Sequence, residues 1–379
     1  MNGIVNRVDQ GRLEEAAALA DRVFREGETF MGAAFPSIFS GSFPCSHGVY
    51  EEDRLTAFVG LVPAVLRIGP ARVPLFSIGA VCTAPESRGR GYASALLRET
   101  FRHIEDAGGS LLFVSGTLPI YRRNGCHPFG SVRQYRLSPE VASVQPEDPA
   151  FEWSEFRATD LHRLQELSES HEVRYDRSLY ETAELLRSAA LAGVCRMKQK
   201  VLIGRKDGQA TAYLVLALPG DTPAETRPFV VEWGGDAKDA AKLMSAAAVH
   251  FELKEGLDAF VPWQERKLMQ ALEGLTYKEI QHSGTVKVGN ASRLWEQLRP
   301  YLDSLHPGAA RQVAIADVRE EPGAADVSID GETRRLAPEQ LISFLFDPAS
   351  GPRESFRRAD LLNALLPIPL PSPSGLNFV

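Results

Sequence analysis

The chain has 379 residues, 44% hydrophobic and 24% charged, with a formal net charge of −7. This is the composition of a globular protein long enough for two or three separate cores. Its acidic balance argues against a non-specific nucleic-acid binder, and no apolar run approaches the roughly 20 residues of a membrane-crossing helix. The first residues, "MNGIVNRVDQGRLEEAAALADRVF", read as a strand and an amphipathic helix, without the apolar core of a signal peptide. Cys45, Cys82, Cys126 and Cys195 have no metal-ligand spacing and no secreted framework, and the eight histidines likewise show no metal spacing. The expectation is a soluble, cytoplasmic protein with no metal.

The first region, 1–140, alternates helix and strand signals. "HGVYEEDRLTAFVGLVPAVLRIGPARVPLFSIGAVCT" predicts strand, turn, long strand, tight turn, long strand, with turns at 51–54 and 69–72. A helix is expected over about 92–107, with Ala93, Leu96, Leu97, Phe101 and Ile104 at helical spacing. Gly108–Gly109 stop it, and a buried strand follows over 111–115. "SVRQYRLSP" closes the region as a last strand.

The polar, proline-bearing "EVASVQPEDPA" (140–150) marks a first boundary. A second region, 150–282, runs through two helices, a hairpin turning at Asp207-Gly208, a strand "RPFVVEW", a helix from 236, a strand "GLDAFVPW" and a helix. Its order repeats that of the first region and reads as a divergent duplication. A third, 283–379, predicts a small α+β unit. It ends on "PIPLPSPSGLNFV", and no charged side chain occurs from Leu361 onward. Disordered tails are polar and charged. An apolar, proline-stiffened tail whose single charge is its terminal carboxylate is therefore expected to be buried.

Chemistry concentrates in "SIGAVCTAPESRGRGYASALLRE". A strand ends at Thr83, a loop with two glycines and two arginines follows, and a helix starts at once. This geometry points backbone N–H groups at one spot, at the positive end of a helix dipole. Gly89 and Gly91 let the backbone approach a ligand, and Arg88 and Arg90 suit phosphate oxygens. The residues alone imply an anion site for phosphate or pyrophosphate. The spacing fits neither the G-x-G-x-x-G dinucleotide fingerprint nor a Walker A loop.

The loop resembles motif A of the GNAT acetyltransferases, R/Q-x-x-G-x-G/A. Arg88, Gly91 and Ala93 take the defining positions, with Gly89, Arg90 and Tyr92 between them, and the strand "IGAVCTAP" precedes the loop as in that family. The resemblance implies acetyl-CoA as cosubstrate, its pyrophosphate on Arg88–Ala93 and its pantetheine arm against Val81, Cys82 and Thr83. "SGTLPIYRRNGCHPFG" is similar to the I-Y-x-R-x-G-Y segment of the enhanced-intracellular-survival (Eis-like) acetyltransferases: Ile120, Tyr121, Arg123 and Gly125 fit, and Cys126 stands where an aromatic is usual. That likeness implies two mixed-sheet GNAT domains in tandem, the second degenerate, followed by a small α+β sterol-carrier-like domain, an α/β (α+β) architecture. It also implies a homo-oligomer and a C-terminal tail returning to the first domain, with the Val379 carboxylate as general base. Desolvation of such a carboxylate would raise its pKa toward the working range.

On this resemblance the reaction is direct transfer of an acetyl group to a primary amine of a small molecule or lysine, with Tyr121 as general acid on the leaving thiolate. No nucleic-acid or membrane partner is implied. Segment 24–43 is expected to wall the substrate side, and "GTLP", where relatives carry an acidic residue, points to a less acidic pocket. In the second region "VVEWGGDAKDAAK" stands at the place of motif A, yet no arginine precedes its helix, and Glu232 and Asp236 oppose phosphate. His127 is a capping or surface candidate, and Cys82 a small buried hydrophobe before it is a nucleophile. Two other readings remain: a non-catalytic CoA- or lipid-binding sensor, and an N-acyltransferase for longer acyl-CoAs.

Overall fold

The computed structural model describes residues 4–40, 45–142, 148–220 and 226–379. Part of the 140–150 boundary and the end of the 24–43 segment lie outside the described residues. The chain forms two compact units: Met1–Phe129 with Ser283–Ile368 and Val379, and Gly130–His282 with Pro369–Phe378. Both are mixed α/β.

The first unit is built on a sheet ordered Ile4–Arg7, His47–Glu51, Arg54–Ile68, Ala71–Thr83, Leu111–Val114, Thr285–Val288. Neighbours are antiparallel except Ala71–Thr83 and Leu111–Val114, which run parallel. A parallel pair needs a crossover, and the helix Tyr92–Asp106 supplies it. That helix lays Leu96, Leu97, Thr100 and Ile104 on the sheet. Gly108, with φ of 77°, ends it in the left-handed conformation that glycine adopts without a Cβ penalty. On the core side sit Val49, Ala57, Val59, Leu61, Phe76 and Ile78.

Ser283–Ile368 belongs to this same unit. Its helix Ala291–Leu305 buries Leu294, Trp295, Leu298 and Leu302 and lies against the strand Ala71–Thr83. A three-stranded antiparallel sheet, Val313–Asp317, Ala325–Ile329 and Glu332–Leu336, precedes the helix Pro338–Phe346. Arg353, 1% exposed, closes the end of that helix by donating to the carbonyls of Phe344 (2.7 Å) and Pro348 (2.9 Å) and to Asn363 Oδ1 (3.0 Å). Burial pulls its guanidinium down to about 10.

The second unit repeats the plan. Its sheet runs Phe151–Glu155, Met197–Lys206, Gln209–Pro219, Phe229–Gly235, Leu257–Pro262, Val132–Leu137, Tyr277–Ile280. The parallel pair is Phe229–Gly235 with Leu257–Pro262, joined by the helix Ala237–His250.

Two strands depart from the sequence reading. Val132–Leu137, expected to close the first region at 140, pairs with Leu257–Pro262 and Tyr277–Ile280 in the second unit. Thr285–Val288, expected in a separate third segment, adds to the first sheet beside Leu111–Val114. The reason is burial. All four residues of Thr285–Val288 are buried, as are all four of Leu111–Val114. Such strands need cover on both faces, which the larger sheet offers.

Candidate active site

The parallel pair of the first unit holds register from Leu75↔Leu111 to Ile78↔Val114 and no further. From Gly79 and Ser115 onward the two strands part. Just past that point Ala71–Thr83 carries a bulge: Phe58↔Cys82 and Gly60↔Gly79 leave Val59 opposite both Ala80 and Val81. Ala80 takes φ of 50°, which a non-glycine residue rarely adopts. A bulge withdraws a backbone unit from the ladder, so this stretch offers peptide groups to whatever lies between the strands.

The end of the chain lies there. Ser115 Oγ donates to an oxygen of the Val379 α-carboxylate at 2.7 Å. Gly79 backs the same residue: a Cβ on it would collide with the carboxyl carbon and come within 3.1 Å of Val379 Cβ. It would also meet Ile38 Cδ1 at 3.1 Å. Val379 is 9% exposed and Ile38 2%. Ile38 comes from the short helix Pro36–Phe39, within the 24–43 segment. Glu26 and Glu28 of that segment are exposed.

Tyr121 sits on the helical turn Pro119–Arg123, 7% exposed. The Cε2 of its ring would come within 3.1 Å of a Cβ on Gly116, the residue after Ser115. Burial, with Cys126 beside it, pushes its phenol up to about 12, so the hydroxyl keeps its proton across the physiological range. Cys126 is fully buried, and burial raises its thiol to about 11.

The loop divides the expected cofactor residues by role. Gly89 and Gly91 have φ of 75° and 80°, and glycine is the residue that takes this conformation freely. Gly91 is the N-cap of Tyr92–Asp106, no side chain caps that helix, and its first turn holds no acid. A Cβ on either glycine would meet nothing within 4 Å. The first N–H groups of the helix are therefore open to an anionic ligand. Arg88 is exposed and no described residue pairs with it. Arg90 instead binds Glu51 at 2.6 Å, and Glu51 also accepts from the Tyr92 hydroxyl at 2.5 Å and from Ser87 Oγ at 3.0 Å. Led by the Tyr92 hydrogen bond, these contacts hold the Glu51 carboxyl below its usual range. Tyr92 is thus a core side chain, 3% exposed, that braces the loop. Ala93 follows in the first helical turn.

Val81 and Thr83 are half-buried on the bulged stretch, while Cys82 turns into the core at 4% exposed. Burial pushes its thiol up to about 12. A thiol held protonated is a poor nucleophile, so Cys82 acts as a small hydrophobe. His127 exchanges backbone hydrogen bonds with Val286 and lines a cavity of about 640 Å³ with Arg98, Arg102, Arg122, Arg123 and Lys287. This second positive concavity flanks the same helix. Lys287, 8% exposed, donates to the Asn124 carbonyl at 2.9 Å, and burial lowers its ammonium.

Sequence reasoning missed Ser115, Gly79 and Glu51. One signal was legible: an isolated glycine inside a strand, here in "SIGAV", marks a close approach of another backbone.

Residues 5–129 match the family model described as acetyltransferase (GNAT) domain. The chain carries a GNAT acetyltransferase domain. Solved structures share the fold well beyond it. A GCN5-related N-acetyltransferase from Anabaena variabilis aligns over 99% of this chain and 99% of its own, at 15% identity and a TM-score of 0.68. One from Kribbella flavida aligns over 100% and 99%, at 16% identity and a TM-score of 0.63. Eis1 from Mycobacterium abscessus aligns over 88% and 84%, at 14% identity and a TM-score of 0.56. No curated protein sequence matches the chain. The GNAT fold is one of acyl transfer from CoA, and the open loop and splayed strands lie inside the matched residues. No helix among the described residues is long and apolar enough to cross a membrane.

Proposed function

We propose that the protein is an acetyl-CoA-dependent N-acetyltransferase acting on a primary amine of a small molecule or lysine. The observation that carries this reading is the Val379 carboxylate on Ser115, at the point where the two parallel strands separate. Acetyl-CoA would supply an activated acyl group. Gly89, Gly91 and the uncapped helix start would hold its phosphates, with Arg88, unpaired among the described residues, as the cation. Val81–Thr83 would pair with its pantetheine arm, and a bulge N–H would stabilise the developing oxyanion. The Val379 carboxylate would take the proton of the attacking amine, and Tyr121 would give one to the departing thiolate. Both groups belong to the first unit and flank Ser115–Gly116, and a phenol raised to about 12 is still protonated when the thiolate leaves.

The finer architecture belongs to the same proposal: an Eis-like chain with a degenerate second GNAT domain (150–282), a sterol-carrier-like segment (283–379) and a homo-oligomeric, cytoplasmic assembly. Its support is the repeated strand order of the two sheets and the burial of Cys45, Cys82 and Cys126 as thiols in the first unit.

The test is free-thiol release from acetyl-CoA over aminoglycosides, polyamines and lysine peptides, with native protein beside a chain extended by Gly-Ser after Val379. Extension moves the carboxylate off Ser115, so turnover should fall about 10²–10⁴-fold with acetyl-CoA binding retained. Equal turnover would reduce the tail to packing. No turnover by the native chain with any amine would favour a CoA-binding sensor. Tyr121→Phe should lower turnover by about 10²-fold at unchanged acetyl-CoA KM.

A further inference from the structure

The second unit holds a cavity that the acyl-transfer reading does not use. It measures about 110 Å³ and is bounded by Ser168, the 171–177 segment, Val231–Trp233, Pro262–Glu265 and the tail residues Pro371–Leu376. Tail and wall are joined by Gln264 Nε2, which donates to the Leu370 carbonyl at 2.9 Å.

The side chains around it are unusually short of partners. Arg177, its side chain 7% exposed, donates from Nη2 to Glu232 Oε1 at 2.8 Å, and Tyr213 donates to the same oxygen at 2.9 Å. Arg177 Nε and Nη1 have no partner among the described residues. Gln264 Oε1 and His171 Nε2, both buried, are likewise without one. His171 Nδ1 lies 3.4 Å from Glu265 Oε1, and its ring stands edge-on to Trp233 at 4.5 Å. Buried polar groups are nearly always satisfied, and a group left alone keeps its full desolvation cost. These four atoms belong to three residues that line one cavity.

We propose that this cavity binds a small zwitterion, of the size and charge pattern of an amino acid with a short side chain. Its carboxylate would satisfy the free nitrogens of Arg177, its ammonium would donate to Gln264 Oε1, and Ser168 and His171 would complete the polar rim. Glu232 already neutralises Arg177, and the remaining charges at the cavity, Arg174 and Glu265, are of opposite sign. The site therefore favours a ligand carrying both charges over a simple anion. The site stands independently of the acyl-transfer reading, since every residue it uses lies in the second unit.

The test is calorimetry and tryptophan fluorescence of the full chain with glycine, L-alanine and L-serine, against acetate, methylammonium and sulfate as single-charge probes. The expected result is one amino acid per chain, bound at least tenfold more tightly than any single-charge probe. Gln264→Leu and Arg177→Met should each weaken it at least tenfold. Gln264→Leu is near-isosteric and keeps the test informative if the arginine variant does not fold; circular dichroism establishes which variants do. No binding of any amino acid, or affinity unchanged in the folded variants, overturns the proposal. Acetate or sulfate binding as tightly as the amino acids overturns the zwitterion class.

Discussion

The two units contain the same strand–loop–helix turn and use it oppositely. In the first, Ala71–Thr83 leads through Gly89 and Gly91 into a helix with no side-chain cap, no acid in its first turn and open space beside both glycines. In the second, Phe229–Gly235 leads into Ala237–His250, and Asp236 fills the helix start by accepting from the N–H groups of Lys238 (2.9 Å) and Asp239 (3.1 Å). Its glycines face inward: a Cβ on Gly235 would collide with the Thr211 carbonyl, and one on Gly234 with the Tyr213 ring. One turn leaves the positive end of a dipole free for an anion; the other neutralises it with its own carboxylate and packs its glycines against protein. A shared topology therefore does not make a shared site. What fills the first turn of the helix decides it.

That contrast can be broken by exchange. Gly91→Asp sets a carboxylate beside the helix start where phosphate would bind, on a backbone of φ 80° that strains any side chain. Acetyl-CoA affinity should fall by about two orders of magnitude in equilibrium binding, and unchanged affinity would sink the loop as the phosphate site. Asp236→Gly should create no acetyl-CoA binding, because Gly234 and Gly235 remain crowded. Gly79→Ala pushes on the Val379 carboxyl from behind. A displacement of this kind costs on the order of 100-fold in turnover, with acetyl-CoA affinity little changed, and a silent Gly79→Ala would separate the carboxylate from the chemistry.

Acid should weaken both units. His47 in the first and His282 in the second are buried, and burial lowers each to about 4. A depressed histidine stabilises the fold above its unfolded value and loses that contribution as pH falls through the folded one, because the unfolded chain takes up the proton first. Each should therefore lose up to about 3 kcal/mol between about pH 6.5 and 4. Denaturant titrations across that window should show it, and a curve no shallower in His282→Gln would assign the loss elsewhere. The smallest effect belongs to the capped turn: Asp236→Ala should cost about 1 kcal/mol of stability, with acetyl-CoA binding untouched, read by thermal melts beside the binding assay.

Much of this was legible because it is local. The helix at 92–106, the strand at 111–114 and the Asp207-Gly208 hairpin follow from periodicity and glycine chemistry, which act over a few residues. The uncharged tail was legible as a buried one, since apolar surface without charge does not stay in water. The roles inside the loop were not. Arg90 and Tyr92 read as ligand contacts, yet Glu51, 39 and 41 residues away, claims both. Nor was the exchange of Val132–Leu137 and Thr285–Val288 between sheets, because a strand's pattern states how buried it will be and not which partner buries it. Sequence alone determined the elements, the open helix start and the apolar tail. Tertiary structure decided that the tail's carboxylate meets Ser115 where two strands part, and that the same turn is filled in the second unit, because both depend on contacts between residues that are neighbours only after folding.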